Sequence, residues 1–184
     1  MRLKELINAL KAYKPKIDLS RANAAVNIVL RGLNDEVEVL MIKRVISPND
    51  PWSGDVAFPG GRMEPLDATI YDTALRETFE EVGIPRDKLE IIGFLEPVTP
   101  LNVPEYIVLP VISILKSKDV SLRLGGEVEK AFWVNLSHIG EEVEIKHPRR
   151  DVLVRAYVYK GEVIWGMTKR ILNNLLRIYR STFT

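Results

Sequence analysis

The chain has no cysteine and only two histidines among its 184 residues. Without cysteine, disulfide bonds, thiolate catalysis and zinc–thiolate sites are all excluded. The two histidines, His138 and His147, are not spaced as a helical pair of metal ligands. The sequence therefore contains neither a thiol enzyme's nucleophile nor the ligands of a zinc finger.

A strong charge of either sign and a long apolar run are also missing. Lys and Arg number 26 against 25 Asp and Glu, which leaves a net charge of +1 and no broad field to attract a long nucleic acid. No apolar run approaches the roughly 20 residues of a membrane span. The N-terminus also lacks the apolar core and cleavage site of a secretion signal. We therefore expect a cytoplasmic protein without nucleic-acid or membrane partners.

The length and the balance of residues favour one globular domain over residues 1–184. Hydrophobic residues make up 46% of the chain and charged residues 28%, which is typical of a soluble domain with a substantial core. An N-terminal segment, 1–16, is predicted to carry a helix over 1–13. The apolar stripe of this helix docks on the core or forms a dimer contact, so a homodimer is one prediction. The stripe consists of Leu3, Leu6, Ile7 and Leu10.

Apolar and alternating runs predict an α+β domain with a central and a closing helix. The closing helix is predicted over 168–179. The predicted strands are 24–31, 37–44, 89–97, 107–115, 131–134, 152–159 and 163–165. In the central helix, Asp67 is the predicted N-cap and Gly83 the predicted C-terminal cap, with Pro85 beyond it. The residues predicted to face inward are Tyr71, Ala74, Leu75, Thr78 and Val82.

The central helix carries three carboxylates, Glu77, Glu80 and Glu81, within five residues. Residues three and four apart are neighbours on a helix, so these side chains crowd one edge. Arg76 can pair with Glu80, but no nearby Lys or Arg in the helix is expected to pair with the other two. Such a cluster suits Mg²⁺ or Mn²⁺ bound together with substrate phosphates. The alternative is a solvated acidic face, but the glycine turn before the helix and the glycine after it favour a metal site.

The segment Arg76–Ile84 reads Arg-Glu-Thr-Phe-Glu-Glu-Val-Gly-Ile, and it resembles the second half of the Nudix box. The family pattern is Arg-Glu-U-x-Glu-Glu-x-Gly-U, where U is a bulky apolar residue, and Thr78 takes one U position. In the first half the family has Gly, five residues, Glu, seven residues and Arg. Here five residues separate Gly61 from Asp67, and eight separate Asp67 from Arg76. We assign Asp67 no catalytic role.

Three flanking segments resemble the coenzyme A pyrophosphatase branch of this family, which carries a similarly longer box. They are Leu40–Arg44, Gly54–Gly61 and Thr73–Glu77, and 164–168 is similar to a further segment of that branch. Asp50 stands where the branch has an arginine. The resemblance implies a Nudix α/β/α sandwich with a mixed β-sheet, in which a catalytic helix follows a glycine-rich loop. The box region spans 58–84.

We expect Glu77 and Glu81 to be the principal metal ligands, with Glu80 as a third or outer-sphere ligand. The resemblance adds the main-chain carbonyl of Gly61. Arg76 is expected to steady the site by pairing with a carboxylate. The general base is Glu80, Glu127 or Glu129; for the last two, an exposed loop residue is the alternative.

Two arginines, Arg44 and Arg62, could hold phosphate bidentately, or could be ordinary surface arginines. The basic run 146–150 could meet an acidic group such as the 3′-phosphate of coenzyme A, or could be a solvated loop. Trp52 could stack on a base or be buried. Each of these remains open at the level of sequence.

The predicted activity is metal-dependent hydrolysis of a phosphoanhydride in a nucleoside diphosphate derivative, a small-molecule nucleotide substrate. If the substrate is coenzyme A, the resemblance implies release of 3′,5′-ADP and 4′-phosphopantetheine. The alternatives are a broader activity on ADP-sugars or dinucleotides, and a Nudix-like domain that binds a nucleotide without cleaving it. The three intact carboxylates argue against the last of these.

Overall fold

The computed structural model describes residues 2–16, 18–48, 52–117 and 120–183. Within these ranges a seven-stranded mixed sheet, a three-stranded antiparallel sheet and three α-helices form the fold. The helices are α1 (Arg2–Ala12), α2 (Ile70–Val82) and α3 (Gly166–Phe183). The strands are β1 (Ala24–Leu33), β2 (Glu36–Arg44), β3 (Val56–Ala57), β4 (Gly60–Arg62), β5 (Leu89–Phe94), β6 (Val108–Leu115), β7 (Val128–Asn135), β8 (Val143–Lys146), β9 (Leu153–Tyr159) and β10 (Glu162–Ile164).

The large sheet lies between two helical layers. Because side chains alternate along a strand, β1 sends Val26 and Ile28 into the cluster that contains α1 and α3, and Ala25 and Val29 into the clusters that contain α2. Strand β1 runs parallel to β6 and antiparallel to β2, so the sheet is mixed. The predicted α/β/α sandwich is thereby confirmed.

The hairpin of β1 and β2 splays apart, and this opening positions the glycine turn. The two strands pair only where Leu30–Leu33 faces Glu36–Val39. Beyond that point β3 pairs with the end of β2, while β4 pairs with the start of β1, with Gly61 opposite Ala25. The segment that contains the glycine turn is thus inserted into the sheet directly below α2.

The N-terminal helix docks on the core through the predicted stripe. Leu6 and Leu10 are buried and join the cluster of α3, while Leu3 and Ile7 pack against that cluster. Docking on the core is therefore the role that the structure shows, and a dimer contact stays a prediction. Along the described ranges, every helix is too short or too polar to cross a lipid bilayer.

The caps of α2 correct one prediction and confirm another. Thr69, not Asp67, is the N-cap, because the helix begins at Ile70: its hydroxyl accepts the Asp72 N–H, and the Asp72 carboxylate accepts the Thr69 N–H. At the other end Gly83 adopts φ 73°, a left-handed conformation that glycine tolerates, and its N–H bonds the Phe79 carbonyl.

The strand predictions hold for the longer strands and miss three short ones. Strands β3 and β4 have two and three residues, too few to show a period, and neither was predicted. The four residues of β8, Val-Glu-Ile-Lys, were also missed, because an alternation over four residues is too short to stand out in the sequence. The third strand was predicted to reach Pro97 but ends at Phe94.

Candidate active site

The carboxylates of α2 meet the glycine turn that the splayed hairpin positions. The main-chain N–H of Gly60 donates to Glu81 Oε2 at 2.9 Å. The Glu77 carboxylate lies so close to Gly61 that a Cβ there would be 2.3 Å from Glu77 Oε1. Any side chain at position 61 would displace Glu77. The turn and the helix therefore bring these two carboxylates together.

Both carboxylates are withdrawn from water. Glu81 is 6% exposed, and burial raises its pKa to about 8, although the Gly60 N–H and Arg44 act in the opposite direction. Burial also raises the pKa of Glu77, against the effect of Arg76. The Glu77 carboxylate further disfavours ionisation of Glu81. Two adjacent carboxylates with raised pKa values, one buried and one half-buried, are a donor set that a divalent cation would stabilise.

Asp67 has a role that the sequence analysis missed. Arg76 donates from Nε to Asp67 Oδ1 at 3.1 Å and from Nη2 to Oδ2 at 3.0 Å, a two-pronged pair. Thr73 Oγ1 and the Glu64 N–H also donate to Asp67. This pairing, chiefly with Arg76, lowers the pKa of Asp67 to about 2. The sequence offered one signal for this pair: Asp67 lies nine residues before Arg76, whose long side chain can reach back to it.

Asp67 binds Nε and Nη2 of Arg76, and the remaining nitrogen, Nη1, faces the carboxylates of Glu77 and Glu80. Arg76 Nη1 lies 2.8 Å from Glu77 Oε1 and 3.2 Å from Glu80 Oε2. The expected pair with Glu80 is present, but the expectation that no helical cation pairs with Glu77 is wrong. The Arg76 side chain folds over the adjacent residue as well as reaching one turn ahead. The Glu80 side chain is 55% exposed.

Arg44 links Glu81 of α2 to Glu127 of the loop before β7. At the end of β2 its Nη1 lies 3.4 Å from Glu81 Oε1, and its Nη2 donates to Glu127 Oε2 at 3.0 Å. The Gly125 N–H donates to the Glu81 carbonyl at 3.0 Å, which fastens the loop of Glu127 to the end of α2. Glu127 is thus brought to the site, although 75% of its side chain is exposed.

Glu129 is not brought to the same place. It lies in β7, 3.8 Å from Lys43 Nζ, and it is not among the described residues that line the cavity of the site. Alternation along the strand places Glu129 away from the cavity, whereas Glu127 precedes the strand. The geometry therefore favours Glu127 over Glu129 as a residue that can reach a substrate.

A cavity of about 840 Å³ opens beside these carboxylates, a volume typical of small-molecule sites. One part of its wall is aromatic: Trp52 and Tyr106 have ring centroids 6.0 Å apart, and the Arg62 guanidinium lies 4.5 Å from the Tyr106 ring. Tyr106 and Trp165 were not predicted as site residues. No motif marks Tyr106, and although Trp165 belongs to the resembling segment 164–168, only folding brings both rings to this cavity.

A buried polar pair anchors α2 to the sheet beneath the site. Asn27 Nδ2 donates to Thr78 Oγ1 at 2.9 Å, and both residues are fully buried. Thr78 Oγ1 in turn donates to the Ala74 carbonyl. This contact accounts for a threonine at a position where the family pattern has a bulky apolar residue. The signal in the sequence was a single asparagine inside the apolar run of β1.

The donor set fits a divalent ion that is also held by its substrate. Across the described ranges, no three Asp, Glu or His side chains are already gathered around one point. Glu77 and Glu81 instead form a pair against the Gly60–Gly61 turn, with Glu80 at the exposed edge. Mg²⁺ is commonly bound by one or two carboxylates, water and substrate phosphates, and this pair provides the protein's share.

Comparison with known proteins agrees with the geometry. The model of the NUDIX domain matches residues 21–157. The protein named uncharacterized Nudix hydrolase NudL from Enterobacter sp. strain 638 is 32% identical over 181 residues, which cover 94% of this chain and 92% of that protein. Its counterpart from Photorhabdus laumondii is 32% identical over 167 residues, 88% of each chain.

Solved structures share the fold. A MutT/nudix family protein from Enterococcus faecalis superposes with a TM-score of 0.56 at 21% identity, covering 97% of this chain and 70% of that one. A C. elegans Ap4A hydrolase binary complex gives 0.52 at 23% identity, covering 63% and 81%. From the matched domain and these relatives, the chain belongs to the Nudix hydrolase family, which hydrolyses pyrophosphate linkages in small nucleoside diphosphate derivatives and generally uses divalent metal ions.

Proposed function

We propose that this chain is a divalent-metal-dependent pyrophosphatase whose substrate is coenzyme A or a derivative. The products are 3′,5′-ADP and 4′-phosphopantetheine. The observation that carries the proposal is the carboxylate pair of the half-buried Glu77 and the buried Glu81, set against the Gly60–Gly61 turn at the edge of a large cavity. Buried acids with raised pKa values in a cavity are typical of functional sites.

Glu77 and Glu81 would hold Mg²⁺ or Mn²⁺, with Glu80 and the Gly61 carbonyl as further ligands. The ion would neutralise charge on the diphosphate oxygens and lower the pKa of a bound water. Arg76 acts through Glu77: its bonds to Asp67 fix its own position, and its Nη1 orients the Glu77 carboxylate. Arg76 is therefore a positioning residue.

The proposed base is Glu127, with Glu80 as the second candidate. Glu127 lines the cavity, is largely exposed and is oriented by Arg44. It takes a proton from water as the water oxygen bonds to phosphorus and the bridging P–O bond breaks. Each product then keeps one of the two phosphates of the former diphosphate. Arg44 and Arg62 also line the cavity, where their guanidinium groups can bind phosphate oxygens.

The choice of coenzyme A is supported by where the resembling segments lie. Arg44, the stretch 55–58 and the stretch 165–168 all line the same cavity, although they are distant in sequence. Residues that carry the branch resemblance therefore surround the space available to the substrate. Asp50, which departs from the branch pattern, lies outside the described residues.

The alternative substrates are dinucleotides and ADP-sugars. The aromatic wall of Trp52 and Tyr106 is a specific observation in their favour, because it could stack a second base. The structurally similar C. elegans protein is named an Ap4A hydrolase, but at 23% identity it supports the fold alone. A nucleotide-binding domain without catalysis is the remaining alternative.

Product analysis tests the proposal. The purified protein is incubated with Mg²⁺ or Mn²⁺ and, in parallel, coenzyme A, ADP-ribose and a diadenosine polyphosphate. Glu81→Gln removes the buried ligand, and Glu90→Gln, an exposed β5 carboxylate paired with Lys11, is the matched control. We expect release of 3′,5′-ADP that the control retains and Glu81→Gln abolishes. Turnover of another substrate alone would overturn coenzyme A, and binding without turnover would overturn catalysis.

A further inference from the structure

A second charged cluster lines the same cavity as the proposed metal site. Asp55 accepts from Arg150 Nη2 at 2.7 Å and from Arg149 Nη2 at 2.8 Å, and only 11% of its side chain is exposed. Asp55, Arg150 and Trp165 are all cavity residues. One carboxylate therefore holds two guanidinium groups at the wall of the substrate space.

The run His147–Arg150 is docked against the protein. Arg149 donates to the Ser53 carbonyl and packs on Gly54, whose φ of +65° favours glycine and where a Cβ would lie 1.7 Å from Arg149 Nη1. The buried His147 ring lies 3.4 Å from Asp55 and edge-on to Trp165, with centroids 4.8 Å apart. His147 is buried and Arg149 and Arg150 pair with Asp55, although Pro148 and Arg149 remain exposed, so the run is not a freely solvated loop.

Two guanidinium groups meet one carboxylate in this cluster. Arg149 ties the loop to Asp55 and Ser53, and burial lowers the pKa of His147, so the imidazole adds little charge near pH 7. Arg150 then brings a second guanidinium to the same carboxylate. Its side chain is 34% exposed and its guanidinium lies 4.8 Å from the Trp165 ring, which orients its plane at the cavity wall.

We propose that Arg150, held by Asp55 and Trp165, is an anion subsite for a phosphate monoester carried by the substrate apart from the scissile diphosphate. The inference rests on the proposed function and adds a substrate feature to it. A guanidinium in a fixed plane binds phosphate with two parallel N–H···O bonds, which an ammonium group cannot reproduce. Coenzyme A carries such a group on its ribose, whereas 3′-dephospho-coenzyme A differs only by lacking it.

The test compares these two substrates in the same assay. The readout is the ratio of kcat/KM for coenzyme A to kcat/KM for 3′-dephospho-coenzyme A. We expect a ratio of about ten or more in the natural protein, because charge-assisted hydrogen bonds to a phosphate are lost with the group. Arg150→Gln should bring the ratio close to one, and Arg150→Lys should leave an intermediate value. Arg155→Gln, an exposed β9 arginine near Glu142, should keep the natural ratio.

The ratio separates the subsite from a structural role. Loss of a loop clamp would lower kcat/KM for both substrates and leave their ratio intact, and that result in Arg150→Gln would overturn the proposal. A ratio near one in the natural protein would also overturn it, while the proposed hydrolysis would stand.

If neither substrate is cleaved, the proposed function fails and the subsite is decided by binding. Calorimetry then compares 3′,5′-ADP with 5′-AMP, which lacks the 3′-phosphate. Tighter binding of 3′,5′-ADP that disappears in Arg150→Gln would support the subsite. Equal binding of the two nucleotides by the natural protein would overturn it.

Discussion

The carboxylates of Asp67 and Glu81 expose similarly small fractions of their side chains, but their pKa values are shifted in opposite directions. Their side chains are 5% and 7% exposed. The pKa of Asp67 is lowered to about 2, chiefly by hydrogen bonding to Arg76, whereas burial raises the pKa of Glu81 to about 8. Their surroundings differ: Asp67 is half-buried and receives both prongs of Arg76, whereas Glu81 is buried and receives one N–H and one Arg44 nitrogen at 3.4 Å.

This contrast separates a carboxylate that stabilises the fold from one suited to a cation. Both oxygens of the Asp67 carboxylate accept hydrogen bonds within the protein, so they are not available to a ligand. Asp67 also fixes Arg76 beside Glu77 and Glu80. Glu81 is buried with only one long contact to Arg44, so its ionised form is costly until a further cation arrives. Three sets of substitutions and one pH titration test this difference between the two carboxylates and the helix that presents them.

The largest effect is expected from Glu81→Gln, which keeps the shape of the side chain and removes its charge. Loss of a residue that only supports a metal ligand typically costs about 10–100-fold, so loss of the ligand should lower kcat by about 10³-fold. Manganese affinity, measured by electron paramagnetic resonance, should fall in parallel. Unchanged manganese affinity in a folded Glu81→Gln protein would contradict the role of Glu81 as a ligand.

Asp67→Asn tests whether the pair of Asp67 and Arg76 stabilises the fold. The neutral amide weakens the charge-assisted hydrogen bonds from Arg76, which keeps its contacts with Glu77 and Glu80, so we expect the free energy of unfolding to fall by about 2 kcal/mol. Urea unfolding measures this change. Asp87→Asn, an exposed carboxylate beside Lys88, is the control and should change little. A loss below about 0.5 kcal/mol in Asp67→Asn would mean that the pair is only a surface contact.

The pH dependence of stability sharpens the contrast. In the metal-free protein Glu81 keeps its proton up to about pH 8, whereas in the unfolded chain it loses it near pH 4.5. Its contribution to the free energy of unfolding is therefore fully present below pH 4.5 and is lost as the pH rises to about 8, by at most about 1.4 kcal/mol per pH unit. Urea titrations with chelator should show a difference from Glu81→Gln that grows with pH, and Mg²⁺ should reduce it. A pH-independent difference would contradict the raised pKa.

Local patterns predicted the parts of this site that are close in sequence. The crowding of Glu77, Glu80 and Glu81 follows from helical spacing alone, and the long strands of the sandwich follow from their apolar runs. The roles of those three side chains remain predictions.

Contacts between distant residues could not be predicted in the same way. Arg44 meets Glu81 across 37 residues, and Arg150 meets Asp55 across 95. No spacing rule connects such pairs, since only the splayed hairpin and the docked loop bring them together. The two parts of the cavity wall formed by these pairs therefore required the structure.

The smallest expected effect concerns the start of α2, where Thr69 is the N-cap in place of the predicted Asp67. Thr69→Ala removes the acceptor of the Asp72 N–H and should lower the free energy of unfolding by about 1 kcal/mol, as for other N-caps, while Thr69→Ser should retain most of it. Urea unfolding of both variants provides the measurement. Because Asp67 bonds Arg76 and the Glu64 N–H, it cannot replace the lost cap without breaking its own network. Equal stability of Thr69→Ala and the natural protein would therefore show that the capping box does not stabilise the helix that presents Glu77 and Glu81.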